Sequence, residues 1–332
     1  MSRIAIKERN SNIDLVKFIC AFGVICIHTN SSTANAALIV EFFLPLCVPF
    51  FLLSALVFFI VGLKKPDLYS LANKISTRII IPYFFWTAIY FLLIVMKHLA
   101  KNESYSNDWW KILFFGESAV QLYYIPKMLI MEGIALSVVL LLNQNNKRRY
   151  TGAILFLFSS AWLLLGIKNK CFSFSEADFA MTALYLVLAF AISKIYEHNE
   201  HKNIFIILGF LLLLSLFLFK YLHFDNNNGL LFNTNGLMSI IGGLSLTLLA
   251  FTLPSLNFPK RIEIIFGFSY GIYLSHILFL EAFEFILNHF RINLFYDFWT
   301  KLIFSICVLV SSILFVFLVK KVSILKRVLL GE

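Results

Sequence analysis

The first residue with chemistry to offer is a histidine at the end of an apolar run. His28 closes a hydrophobic stretch that opens on Asp14 and Lys17, and imidazole has the proton affinity that suits general-base work near neutral pH. At about 100° per residue, Asp14, Lys17, Ala21, Ile25 and His28 share one helical face. Lys17 and His28 are separated by about 16 Å of rise, which puts the cation near one end of the helix and the imidazole near the other. Lys17 also reads as an interfacial lysine paired with Asp14. A second stripe carries Ser269, Tyr273, His276, Leu280 and Glu284, with His276 deep in its apolar run. Two adjacent cations, Lys74 and Arg78, stand ahead of Pro82; such a pair can clamp phosphate groups, Arg as a bidentate fork and Lys as a point charge. A membrane's preference for cations on one side predicts the same pair. A fourth face bears Gln121, Tyr124, Met128 and Glu132, with Lys127 projecting elsewhere. Glu132 and Lys127 both require partners inside a bundle.

The elements that must hold these residues are membrane helices. The chain has 332 residues, 60% of them hydrophobic and only 14% charged, against about 25% charged in a soluble domain. No water-soluble fold hides that much apolar surface. A crossing helix takes about 20 apolar residues, whereas a spanning barrel needs short alternating segments. The unbroken runs here select an all-α integral membrane protein of about ten spans: 13–28, 38–62, 79–96, 119–142, 150–167, 179–196, 204–221, 237–253, 264–287 and 302–319. Connections are short, so 1–332 reads as a single domain without repeat or linker.

Orientation follows from cation bias. One alternate set of connections holds Arg3, Lys7, Arg9, Lys64, Lys65, Lys74, Arg78, Lys147, Arg148, Arg149, Lys194, Lys202, Lys260, Arg261, Lys320, Lys321, Lys326 and Arg327. The other set holds Lys97, Lys101, Lys111, Lys168, Lys170, Lys220, Arg291 and Lys301. The first set is expected in the cytoplasm, together with both termini. The net charge of +10 is thereby accounted for without nucleic acid, since no basic block interleaves with aromatics. Cys20, Cys26, Cys47 and Cys307 lie inside apolar runs and Cys171 in a loop, so neither a disulfide nor a metal site is expected. Residues 1–36 have the outline of a secretory signal ending at Ala34-Asn35-Ala36, but Asp14, Lys17 and His28 suit a retained helix. Trp109 and Trp110 read as an interfacial anchor, and Asn226-Asn227-Asn228-Gly229, with Asn233 and Asn235, as a turn-rich loop.

Taken together, these regions resemble the acyltransferase 3 family of multi-pass membrane acyltransferases, which includes bacterial polysaccharide O-acetyltransferases. The resemblance rests on Asn12-Ile13-Asp14-Leu15-Val16-Lys17 with His28, and on Val48-Pro49-Phe50-Phe51-Leu52-Leu53-Ser54. It continues through Lys74 to Arg78 with Ile81-Pro82-Tyr83, then Leu122-Tyr123-Tyr124-Ile125-Pro126. It ends on Phe268-Ser269-Tyr270-Gly271-Ile272-Tyr273-Leu274-Ser275-His276. Lys17 stands where the family commonly has arginine, which keeps the charge and removes the fork; Ala55 replaces a usual glycine, and Tyr123-Tyr124 a more typical Trp-Phe.

The resemblance implies an acyl-CoA donor, usually acetyl-CoA, entering from the cytoplasm of a bacterial cell. The acceptor it implies is a hydroxyl of a cell-surface or lipid-linked carbohydrate. Lys74, Arg78 and Lys17 would bind the donor, His28 would take the acceptor proton, and His276 with Tyr273 would bond the oxyanion or shuttle a proton. Asp14 joins this catalytic set, while Ser269, Glu284 and Tyr124 are expected at the substrate. A covalent acyl-histidine relay would serve the same end. The rival reading is a multi-pass transporter or exporter of a polysaccharide or lipid-linked glycan, against which stands the absence of recurring Gly- or Pro-broken spans. A non-catalytic partner in surface-polymer assembly is a third.

Overall fold

The computed structural model describes residues 10–63, 67–100, 108–169, 177–198, 202–222, 224–225, 229–230 and 235–332. Arg3, Lys7, Arg9, Lys64, Lys65, Lys101, Lys170, Cys171, Asn226, Asn227, Asn228 and Asn233 lie outside the described residues. Apart from a two-residue antiparallel pairing of Phe224–Asp225 with Gly229–Leu230, the described secondary structure is helical. Eight described helices are long and apolar enough to cross a membrane.

Helix α1 (Ser11–His28) starts on Asn10, whose side chain accepts from the Asn12 backbone N–H at 3.0 Å. This satisfies one of the donors that a helix start leaves without a partner. Asn12 is itself buried, and its amide donates to the carbonyls of Leu253 (3.1 Å) and Pro254 (2.7 Å) while accepting from Leu256 N–H at 2.9 Å. One side chain thus ties the start of α1 to the segment that follows α10 (Asn235–Thr252).

Helix α2 (Ala34–Gly62) is capped by Thr33, which accepts from Ala36 N–H at 3.2 Å, so the small-residue pattern at 34–36 forms its first turn. Pro45 and Pro49 lie inside it. Pro49 cannot donate to the Pro45 carbonyl four residues back, and Gly242 of α10 presents its bare Cα to that same oxygen. A side chain at Gly242 would collide with the Pro45 backbone, and one at Gly243 with Pro49. The two helices therefore approach closely.

The apolar run expected to begin at 79 belongs to a longer rod: α3 (Leu68–Ile75), a π-helical turn over Ser76–Ile80, and α4 (Ile81–Ala100). Lys74 and Arg78 are consequently helical rather than part of a connection. Three tethers fix α4: Tyr83 donates to Leu113 O (2.9 Å), Trp86 Nε1 to Leu329 O (3.0 Å) and Tyr90 to Leu274 O (2.7 Å).

Two further expectations need correction. The run at 119–142 is not helical from its start: α5 (Trp109–Phe115) ends on Gly116 at φ 73, turns follow, and α6 (Tyr124–Leu141) begins later. Pro126 is tolerated in that first turn because its missing N–H has no helical partner there, and Gln121 falls in the turn ahead of the helix. The run at 264–287 divides into α11 (Lys260–Phe266) and α12 (Ser269–His289). Ser269 is therefore a helix start and not a mid-helix position.

The remaining helices are α7 (Asn146–Lys168), α8 (Ala177–His198), α9 (Lys202–Leu222), α13 (Phe298–Lys320) and α14 (Ser323–Leu330). Helix α1 packs against α2, α10, α11, α12 and α13. Burial grades outward from this centre: 61% of the apolar window of α2 is buried, against 11% for α9. The core residues Ile25, Phe50, Leu53, Trp86 and Ile272 join into one cluster across α1, α2, α4 and α12.

Candidate active site

Helices α1 and α12 pack so that the rings of His28 and His276 lie 5.5 Å apart between centroids, tilted by 31°. His28 is half-buried and His276 fully buried. The Nδ1 of His276 lies 2.7 Å from the Tyr273 carbonyl, and a carbonyl only accepts, so the proton belongs on Nδ1. That assignment leaves Nε2 with a lone pair, and Nε2 is buried without a hydrogen-bond partner among the described residues. Neutral His276 is thereby an acceptor at Nε2. It cannot bond an oxyanion until it is protonated.

Tyr273 stands beside it, ring centroids 6.0 Å away, wedged between Phe51 of α2 (6.0 Å) and Tyr124 of α6 (5.6 Å). Its hydroxyl donates to the Gln121 backbone carbonyl. With its single proton spent there, the Tyr273 phenol has none for an oxyanion; it positions the turn that carries Gln121. Both polar atoms of the Gln121 amide are buried without a partner among the described residues, as is Oε2 of Glu132. Buried orphans of this kind cost about 1–3 kcal/mol each. The residue that carries two of them, Gln121, meets the Tyr273 hydroxyl through its backbone, and buried polar atoms without partners are places where a ligand or water can bind.

The segment after His28 is held at each residue. Thr29 Oγ1 donates to Ile25 O (2.9 Å) and meets Ser305 Oγ at 3.1 Å. Asn30 Nδ2 donates to Glu284 Oε1 at 2.9 Å. Ser31 Oγ and Thr29 O both accept from Lys301 Nζ at 2.7 Å. Ser32 N–H donates to Tyr296 O (2.9 Å), and Ser32 Oγ accepts from Tyr296 N–H (3.0 Å). Lys301 was expected in an outer connection. It is instead 0% exposed, because Asp297 accepts from Thr300 N–H (2.8 Å) and starts α13 early enough to draw the lysine inside. Beyond His28, a polar pocket of about 190 Å³ is lined by Asn30, Glu284, Asn288, Asn293 and Tyr296, among others.

The other expected site residues lie elsewhere. Asp14 and Lys17 are at the opposite end of α1, which is continuous from Ser11 to His28; Asp14 is separated from His28 by about 21 Å of rise. Asp14 therefore cannot serve the same reacting atoms as His28. Lys17 Nζ sits over the Phe58 ring, 4.8 Å from its centroid, a cation–π contact that keeps it at that end. Lys74 and Arg78 are exposed. Gly331, at φ 68, packs against the Arg78 backbone, so the turn ending α14 braces the π-helical segment. Ser269 is buried at the start of α12. Among the described residues no group of three or more His, Cys, Asp or Glu gathers as metal ligands would.

Fold and site define a multi-pass membrane protein with two imidazoles paired inside its bundle. The Acyl_transf_3 family, described as an acyltransferase domain, matches residues 10–321. The chain belongs to that acyltransferase 3 family and is a membrane acyltransferase. Comparison with curated proteins and with solved structures finds no match.

Proposed function

We propose that the chain transfers an acyl group, acetyl above all, from acyl-CoA to a hydroxyl of a cell-surface or lipid-linked carbohydrate, with His28 as general base. The observation that carries this reading is the meeting of His28 and His276 at 5.5 Å, with Nε2 of His276 buried and without a partner among the described residues. In the proposed reaction the acceptor oxygen attacks the thioester carbonyl as His28 takes its proton. The C–S bond then breaks, and the imidazolium returns the proton to the departing CoA thiolate, so that an ester and CoA-SH leave. His276, an acceptor at Nε2, can hold that proton and give it back only through the same nitrogen, since Nδ1 faces the Tyr273 carbonyl; it does not stabilise the oxyanion as a neutral donor.

Two features, the exposed cations and the polar pocket, support the placement of the substrates. The exposed Lys74 and Arg78 suit the CoA phosphates. A pantetheine arm reaching His28 from that side would have to part the packed face of α1, where Ala21 and Ile25 are buried. The amide-lined pocket beyond His28 offers donors and acceptors to sugar hydroxyls. The cation bias supports cytoplasmic termini and about ten crossings of a bacterial cytoplasmic membrane, with α8 and α10 as crossings in addition to the eight described above.

The test is incubation of the purified protein with labelled acetyl-CoA and a panel of free and lipid-linked glycans. Label in the glycan, with one CoA released per ester, is the expected result. Glycan that crosses liposomes without acyl-CoA, and without label, would replace this reading with that of an exporter.

A further inference from the structure

An apolar groove of about 420 Å³ runs between α3 and the hairpin of α6 and α7. Leu68, Leu71, Ala72 and Ile75 line one side, at the i, i+3, i+4, i+7 spacing of a single helical face. Leu136, Leu140, Ile154 and Phe158 are among the residues of the other. The one polar side chain in its lining is Thr151, whose hydroxyl is already given to Lys147 O at 3.0 Å.

The rim is cationic. Along α7, Lys147, Thr151, Ile154 and Phe158 recur at spacings of four, three and four, so Lys147 lies on the stripe that walls the groove. Arg148 and Arg149 occupy the same first turn, and Lys74, three residues after Leu71, flanks the apolar face of α3. No acidic residue stands in that first turn of α7, and cations at a helix start oppose the macrodipole; helix stability does not account for them. None of these cations pairs with a carboxylate among the described residues.

We propose that this groove is a binding site for an anionic phospholipid, with one acyl chain between α3 and α7 and the phosphate among Lys147, Arg148, Arg149 and Lys74. A membrane fills an apolar slot with hydrocarbon, and basic pockets at helix ends select anionic head groups. The bound chain braces α3 and, through it, the turn that carries Arg78. The site shares Lys74 with the proposed CoA site, so the variants below leave Lys74 in place and lipid retention is read apart from acyl transfer.

The test is native mass spectrometry of the full chain released from nanodiscs of phosphatidylcholine doped with phosphatidylglycerol. Phosphatidylglycerol is expected to stay bound and phosphatidylcholine to leave. Retention should fall about a hundredfold in a triple Lys147→Gln, Arg148→Gln, Arg149→Gln variant, from about 1 kcal/mol per cation, and should fall also in Ala72→Trp, which fills the slot with an indole; Ile154→Trp fills it from the opposite wall should Ala72→Trp misfold. Equal retention of the two lipids overturns the proposal. So does undiminished retention in the correctly folded filled variant, which reduces the rim to a surface charge effect, or displacement of the lipid by inorganic phosphate, which makes the ligand a free anion.

Discussion

The two ends of α1 handle charge in opposite ways. Around His28 the supporting polar groups are held: Lys301, Thr29, Asn30, Ser31, Ser32 and Tyr273 each donate or accept at a defined atom, while Nε2 of His276 is left without a partner among the described residues. At the other end, Lys74 and Arg78 reach into solvent from a braced backbone. Held groups of the first kind fix geometry before any substrate arrives, which is what proton transfer requires. Exposed cations of the second kind lose little by waiting in water and gain a charge-assisted bond when a phosphate comes.

The comparison can be broken most directly at its fixed end. His28→Ala is expected to lower acyl transfer by about 10²- to 10⁴-fold with normal expression, measured by label transfer from acetyl-CoA; near-original transfer would remove the base and, with it, the contrast between the ends. Lys301→Met comes next. It leaves the carbonyl of buried Thr29 without its donor, at about 1–3 kcal/mol, releases the exposed Ser31 hydroxyl to water, and should cut kcat by about 10- to 100-fold while the donor KM stays put. A rise in donor KM instead would show that the two ends are not separable.

At the waiting end, Arg78→Glu should raise the acyl-CoA KM by about tenfold and spare kcat, from the loss of one charge-assisted bond. Added salt should weaken donor binding in the unaltered protein, since exposed charges are screened. The smallest effect belongs to Tyr273→Phe, which gives up the one hydrogen bond to Gln121, about 0.5–1.5 kcal/mol. A several-fold fall in kcat is expected; complete loss would return Tyr273 to the chemistry.

The two ends also differ in how far the sequence discloses them. Long apolar runs locate most of the helices, because a crossing segment must bond its own backbone and so be nearly continuous. The stripes of α1 and α12 place His28 and His276 on defined faces. The same averaging over 20 residues hides single-residue events: the break at Gly267 and Phe268, the π-turn at 76–80, and the late start of α6 at Tyr124. Lys301 shows the limit most clearly. A lysine just ahead of an apolar run reads as a loop cation, and its acceptors lie in the segment after α1, far away in the chain. Nothing near position 301 signals them. Asp14 fails for a different reason, since sharing a face with His28 does not mean sharing an end.

Pro49 withholds a proton from the carbonyl of Pro45, and Gly242 covers that oxygen with bare Cα. Position 242 therefore cannot gain a side chain while the Pro45 backbone stays where it is. A methyl group at 242 would push α2 away from α10, and Phe51, two residues beyond Pro49, would pass that displacement to Tyr273 and then to the imidazole whose proton Tyr273 holds. A greasy seam that never meets the substrate thus sets the tolerance of the proton path, much as the bearing of a shaft sets the play at its far end.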